Sequence, residues 1–280
     1  MTELALMTWM DVATQAADAV LLVPLGATEQ HGPHLPLGTD TTIATAIASR
    51  AAQQAGTGSP GASAGGVFLV APALPFGSSG EHEDFPGTLS IGQEAVELLL
   101  VEVVRSASRH VAAVVLVSCH GGNHEPVARA VHRLRGEGRL VTAWSPRWPG
   151  DAHAGRTETS VLVALDPGHV ITEHVAAGET EPLATLLPRL RAEGVRAVSP
   201  SGVLGDPTNA TATEGLELLD AAVADLLAHL DAVRTALLRR AGDADRTVPT
   251  GANPAPPSGT GARERRSPSG EPISPQEAEP

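Results

Sequence analysis

Residues 19–25 read Ala19-Val-Leu-Leu-Val-Pro-Leu25, an unbroken apolar run that ends at Gly26 and opens into Glu29-Gln-His31-Gly-Pro-His34-Leu-Pro-Leu-Gly-Thr-Asp40. A strand-length run that is apolar at every position is buried on both faces, as in a parallel sheet covered by helices. The chain repeats this alternation. Thr41–Ala55 is alanine-rich without internal Gly or Pro and reads as a helix. Val67–Ala71 reads as a strand, and Gln93–Arg109, apolar at 95, 96, 99, 100, 103 and 104, as a helix. Val111–Val117 is a valine-rich strand, Pro126–Arg135 a helix, Leu140–Trp144 a strand, and Val161–Leu165 and Leu216–Arg240 are helical. The fold class expected is α/β, a three-layer α/β/α arrangement with a mostly parallel central sheet over residues 1–240. Gly56–Gly66 reads as a flexible Gly/Ser/Ala loop. Residues 241–280, rich in proline and glycine and without aromatics, read as a disordered tail that buries too little apolar surface to offset its ordering entropy.

Composition narrows the chemistry. With 280 residues, 42% of them hydrophobic, the chain can bury a substantial core. A net charge of −13 argues against a nucleic-acid surface, which needs clustered positive charge. Lysine is absent, which excludes a Schiff-base nucleophile and a P-loop lysine, and tyrosine is absent too. The single cysteine, Cys119, forms no internal disulfide and no multi-thiolate zinc site, so a reducing compartment is the default. The N-terminus does not read as a signal peptide, and no stretch reaches the roughly 20 apolar residues of a membrane helix. A cytoplasmic protein without nucleic-acid or membrane partners is expected.

In a parallel sheet, ligands gather at the C-terminal strand ends. Glu29 and His31 follow the first strand, and two residues apart on extended backbone they point the same way. Asp40 lies beyond a Pro/Gly turn, from which it could fold back toward them or simply cap a helix. Such oxygen and nitrogen donors suit a hard-to-borderline divalent metal. His120-Gly-Gly-Asn123-His124 follows the Val111–Val117 strand, with glycines that let backbone approach a ligand. Asn123 could donate to a carbonyl oxygen or cap the next helix. Asp151-Ala-His153-Ala-Gly-Arg-Thr-Glu158-Thr-Ser160 offers Glu158 as a ligand or first-turn acid and His153 as a proton carrier. Gly77-Ser-Ser79-Gly-Glu81-His82 through Thr88 suits a substrate loop, with Ser79, Glu81 and His82 as candidate contacts alongside Gly121 and Gly122. No Gly-x-Ser-x-Gly elbow occurs here. Trp144 and Trp148 are expected near the cleft, as an interface or a substrate wall.

Together these blocks resemble the creatininase family of metal-dependent amidohydrolases. The resemblance rests on Pro24 through His34, Asp40, Gly80-Glu-His-x-x-Phe-Pro-Gly-Thr88, His120-Gly-Gly-Asn123 and His153-Ala-Gly-x-x-Glu158-Thr-Ser160, in the family's order. Within the family the chain is most similar to the mycofactocin-system members, peptidases that release a modified C-terminal dipeptide from a small ribosomally made precursor peptide. The resemblance implies one or two divalent ions per subunit, and the mixed carboxylate and imidazole donors suit Zn2+, Fe2+ or Mn2+. It implies Glu29 and His120 as ligands of one ion, His31 of the second, Asp40 as the bridging carboxylate, and His153 as the histidine that protonates the leaving nitrogen. It also implies a homo-oligomer. The founding creatininases carry a carboxylate ligand where this chain has Gly122, and Glu158 is the expected substitute. Asn123 or a backbone amide is expected to stabilise the oxyanion, and His34 to stand behind the ligands or face substrate. Two further readings stay open: hydrolysis of a small cyclic amide or formamide, and a non-catalytic metal-binding scaffold. A serine hydrolase using Ser78 or Ser79 is a third.

Overall fold

The computed structural model describes residues 2–57 and 66–246. A short helix α1 (Trp9–Ala13), closed by a reciprocal Thr8–Asp11 capping box, precedes one sheet of four strands. Strands β1 (Val20–Leu25), β2 (Phe68–Val70), β3 (Ala113–Ser118) and β4 (Val141–Trp144) lie in the order β2-β1-β3-β4, all parallel. Parallel neighbours need crossovers, and helices α2 (Thr39–Gly56), α3 (Gly92–Ala107) and α4 (His124–Gly136) supply them. Helices α5 (Arg156–Leu165), α6 (Leu183–Glu193), α7 (Val195–Val198) and α8 (Ala212–Arg246) follow.

Successive strand side chains point to opposite faces, and both faces are covered. Val20, Leu22, Val115 and Val117 enter a core with Ile43 and Ile47 of α2, Leu162 of α5 and Leu226 of α8. Leu21, Val23, Leu25, Val114 and Leu116 enter a second core with Leu100 and Val104 of α3 and Leu134 of α4. This is the three-layer α/β/α arrangement. Every residue of β1 and β3 is buried, which is why neither run alternates in sequence.

The register runs from Val20↔Ala113 to Leu25↔Ser118. The two central strands therefore end level, and the segments after them emerge side by side. That placement creates the site.

Element bounds shift from the expected ones by a few residues at most for the central elements, whereas α8 begins and ends further out, passing residue 240 to reach Arg246. The helix α6 is not foreseen. Pro188 lies inside it, and its core contact is small: Leu186, Leu190, Val195, Val198 and Leu204, with Phe85 against them. The tail beyond residue 246 and residues 58–65 of the Gly56–Gly66 loop fall outside the described residues. No helix among the described residues is long and apolar enough to cross a membrane.

Candidate metal centre

Four segments converge at the C-terminal edge of the sheet. The turn after β1 carries Glu29 and His31, and the first turn of α2 carries Asp40, where an acid also suits the helix dipole. The exit of β3 carries His120, and α5 carries Glu158 in its first turn. Glu29, His31, Asp40 and His120 are all buried.

Among the described residues their donor atoms form three triads: Glu29, Asp40 and His120, and His31, Asp40 and Glu158, which share one carboxylate, and Glu29 and His31 with His153. Asp40 turns one oxygen to each side, Oδ1 lying 3.3 Å from His31 Nε2 and Oδ2 3.4 Å from His120 Nδ1. Glu158 Oε2 is 3.8 Å from His31 Nε2. Both oxygens of Glu29 and Oδ2 of Asp40 are buried without a hydrogen-bond partner. Buried carboxylate oxygens left bare are costly unless something else satisfies them. Carboxylates and imidazoles converging at such distances fit a pair of divalent cations, and the expected ligands are the residues brought together.

Neighbouring groups fix the orientation of these donors. His31 Nδ1 donates to Glu29 O (3.1 Å), leaving Nε2 for the shared centre. His120 Nε2 donates to Ser78 O (2.8 Å), leaving Nδ1 facing Asp40. Such contacts set which ring nitrogen can ligate. Glu158 Oε2 accepts from Ala154 N at 2.6 Å. Ala154 is the one non-glycine described residue with positive φ, at 51°. That strained backbone, of a kind that clusters at functional sites, aims its amide at Glu158 just after His153.

The electrostatics follow from burial and proximity. Burial disfavours the charge of Glu29, yet His120 foremost, with His82 and His153, holds its carboxyl well below the usual range. Burial opposes protonation of His31, but Asp40, Glu158 and Glu29 push it up to about 10. His120, against burial, is pushed up to about 10 by Glu29 and then Asp40. Burial raises Glu158 to about 7, against the pull of His31 and with Asp40 and Glu29 adding to the rise. Without metal, protons on His31 and His120 offset the carboxylates.

His153 behaves differently. Burial, with His31 and His82 close by, drives it well below the ordinary value. Its Nε2 donates to Gln30 O at 2.8 Å, and Nδ1 lies 3.7 Å from Glu29 Oε1. A neutral ring whose Nδ1 is unprotonated accepts a proton before it can deliver one, which refines the expected role of His153 as a donor.

Other expectations are corrected. Asn123 is buried with both ends engaged: Oδ1 accepts from Ser78 N (2.9 Å) and Nδ2 donates to Gly26 O (2.9 Å). It ties the β1 and β3 exits to the Ser78 loop, and it is fully buried and not among the residues lining the cleft, so it is not placed to meet an oxyanion there. Ser79 is fully buried with Oγ 3.3 Å from His120 Nε2, so it supports a ligand rather than contacting substrate. His34 takes the first of its two expected places, behind the ligands: it is buried, bonded to Thr159 Oγ1 (2.9 Å), and pushed down to about 4 by burial and His31. Trp144 and Trp148 line a separate 360 Å3 hollow against α8, where Trp144 Nε1 donates to Asp225. They do not wall the metal cleft.

Glu81, His82, Gly121 and Gly122 do line the cleft, a cavity of 580 Å3 with Glu29, His120 and His153 at its floor. Gly122 is needed sterically, because a Cβ there would collide with Ser78 O and His120 Nε2. Sequence reasoning missed Gln30. Its Nε2 donates to His82 Nδ1 (2.8 Å) and Gly202 O (3.1 Å), and its Oε1 accepts from Gly32 N. It holds His82 against Glu29 Oε1, 3.5 Å from His82 Nε2. The available signal was its place between two ligands. Sequence reasoning also missed the α6 wall of the cleft, for which long-range packing alone is responsible.

Comparison with known proteins agrees with this geometry. The family model described as creatininase, creatinine amidohydrolase, matches residues 5–230. A protein of Mycolicibacterium smegmatis named mycofactocin precursor peptide peptidase is 54% identical over 198 residues, covering 70% of this chain and 78% of its own. A mutant creatininase described as the Zn-Zn type superposes with a TM-score of 0.66 at 25% identity, covering 84% of this chain and 98% of that one. The Mn form of creatininase gives a TM-score of 0.67 at 26% identity with the same coverage.

Proposed function

Because the chain belongs to the creatininase family and is a hydrolase of amide C–N bonds, we propose that it cleaves a peptide bond in a small mycofactocin-type precursor peptide, using divalent ions held by two triads that share Asp40. The observation that carries the reading is the pair of triads sharing Asp40, in which buried oxygens of Glu29 and Asp40 make no hydrogen bond and Glu29 and His120 open into a cavity of 580 Å3. Cavities of that size hold ligands of drug-like dimensions, larger than a single small ring. Glu29, Asp40 and His120 would hold one ion, and His31, Asp40 and Glu158 the other, with Glu158 standing in for the carboxylate absent at Gly122. The donor set admits Zn2+, Fe2+ or Mn2+.

When bound, such ions supply a nucleophile at neutral pH and polarise the scissile carbonyl. The protein's own part is orientation and proton transfer. His153, neutral at rest, takes at Nδ1 the proton lost by the attacking water and passes it to the departing amine nitrogen, while Gln30 O holds Nε2 in place. Gly121 and Gly122 leave room for substrate backbone at the cavity wall, and Glu81 and His82 line it from the adjoining loop. The reading extends to a cytoplasmic homo-oligomer, supported by the single cysteine, the absence of a membrane-crossing helix among the described residues, and the family's habit.

The test is to load purified protein with Zn2+ or Mn2+, count bound metal, and offer the modified precursor peptide and creatinine in parallel. Release of the C-terminal fragment without creatinine turnover supports the reading. Creatinine hydrolysis without peptide cleavage replaces it with the small-amide alternative.

A further inference from the structure

The α6 helix contributes nothing to the triads, yet part of its cleft-facing side, Leu183, Leu187 and Arg191, is unexplained by core packing. Leu183, Leu187, Leu190 and Arg191 line the cavity. Residues 183, 187 and 191 recur every four positions, so they form one stripe on a helix. Leu190 turns inward and packs with Leu186 and Leu204, and it is buried. Leu183 and Leu187 do not: they remain 43% and 38% exposed, apolar side chains lining the cavity that also holds Glu29 and His120. Exposed apolar groups clustered at a rimmed cleft mark a binding surface. Arg191 makes no hydrogen bond or ion pair with any described residue, and it is the only cationic side chain of Lys or Arg type lining a cavity that also holds Glu81 and Glu125. A free guanidinium there suits a carboxylate brought by the ligand.

The stripe has a direction. The chain just past α6, at Gly194, lies against Glu81 and Asp84, and Leu204 pairs through backbone with His153. Arg191 is therefore at the end nearer the metal centre, with Leu183 two turns away. Eight residues of helix span about 12 Å, the reach of three to four residues of extended peptide. A small cyclic amide cannot touch both ends.

We propose that the Leu183–Leu187–Arg191 stripe of α6 is the specificity wall of the cleft, binding an extended peptide with an apolar side chain on the leucines and a carboxylate on Arg191. The inference rests on the peptide-hydrolase reading and adds which peptides are chosen. The carboxylate is a Glu or Asp side chain or a chain terminus, sources that share one chemistry.

The test uses coupling between protein and ligand changes, which a merely structural role for α6 would not produce. Fluorescently labelled hexapeptides in a Gly/Ser frame, each with one Glu and one Phe at scanned positions, are titrated against full-length wild type, R191Q and L187S. Binding is read on metal-free protein and kcat/KM on metal-loaded protein. Companion sets carry Gln for Glu, Ala for Phe, or an amidated C-terminus. In the preferred register, R191Q should weaken the peptide that carries the recognised carboxylate about 10-fold, yet leave unchanged the companion that lacks it, whether by Gln for Glu or by amidation. L187S should weaken the Phe peptide and spare the Ala peptide. Loss confined to amidation assigns the carboxylate to the terminus, and loss confined to Gln assigns it to a side chain. Equal losses for all peptides, or no losses, overturn the proposal. Coupled binding without turnover upholds the wall and instead removes the peptidase reading.

Discussion

Loading of the metal centre should be coupled to proton release, and the size of the coupling follows from the burial of its histidines. In the metal-free protein His31 and His120 hold protons up to about pH 10, because Asp40 and Glu29 face them in a buried site. A ligating imidazole must be neutral, so each proton has to leave as an ion enters. At pH 7 each histidine is about three units below its folded value, and removing its proton costs about 4 kcal/mol at 1.36 kcal/mol per unit. The sign is fixed by the raised values: affinity falls as pH falls. Between pH 7 and 8.5 the overall constant for filling both triads should rise about two log units per pH unit, or about 10^3-fold. Below pH 7 the slope should steepen toward three as Glu158, raised to about 7, takes up a proton. Competition against a fluorescent chelator across pH gives the slope, and calorimetry in two buffers of different ionisation enthalpy counts the protons. Ordinary histidines near 6.5 would leave affinity almost flat above pH 7. A slope below one in this window would falsify the protonated, carboxylate-bound state derived for the empty site.

The same raised values give a stability signature. Stabilisation from His31 and His120 is fully present below pH 6.5 and is lost as pH rises toward 10, so the Tm of metal-free protein should drop over that range. Asp40→Asn should remove both ions, whereas Glu158→Gln should lower the count from two to one, read by mass spectrometry of the metal content. His153→Asn should keep both ions and lose turnover by about 10^2–10^4-fold; activity near wild type would end its assignment. Gly122→Glu, which restores the carboxylate of the founding creatininases, should lose metal rather than gain a ligand, since a Cβ there strikes Ser78 O and His120. Asn123→Ala strips partners from Ser78 N and Gly26 O and should cost about 2–4 kcal/mol in a denaturant titration, taking the loop geometry with it.

The layers of the fold and the candidate metal donors were legible in the sequence alone. Apolar runs such as Val20–Leu25 and Ala113–Ser118 are buried on both faces, and helices between them leave a parallel sheet as the arrangement that satisfies the backbone. Glu29, His31, Asp40, His120 and Glu158 were legible because donors dense enough for a metal stand out at strand exits and helix starts. Orientation was not legible. Whether the Asn123 amide meets substrate or backbone, whether Ser79 faces the cleft, and where Trp144 and Trp148 point depend on which partner lies nearest in space. The charge state of His153 depends likewise on burial beside His31 and His82, groups 122 and 71 residues away along the chain. Helix α6 stayed hidden because its core contact is small and its proline interrupts the pattern, although it forms a whole wall of the cavity. Composition and spacing fix which donors are present; only packing decides which atoms they face, because hydrogen bonds and pKa values are set by neighbours brought in from distant segments.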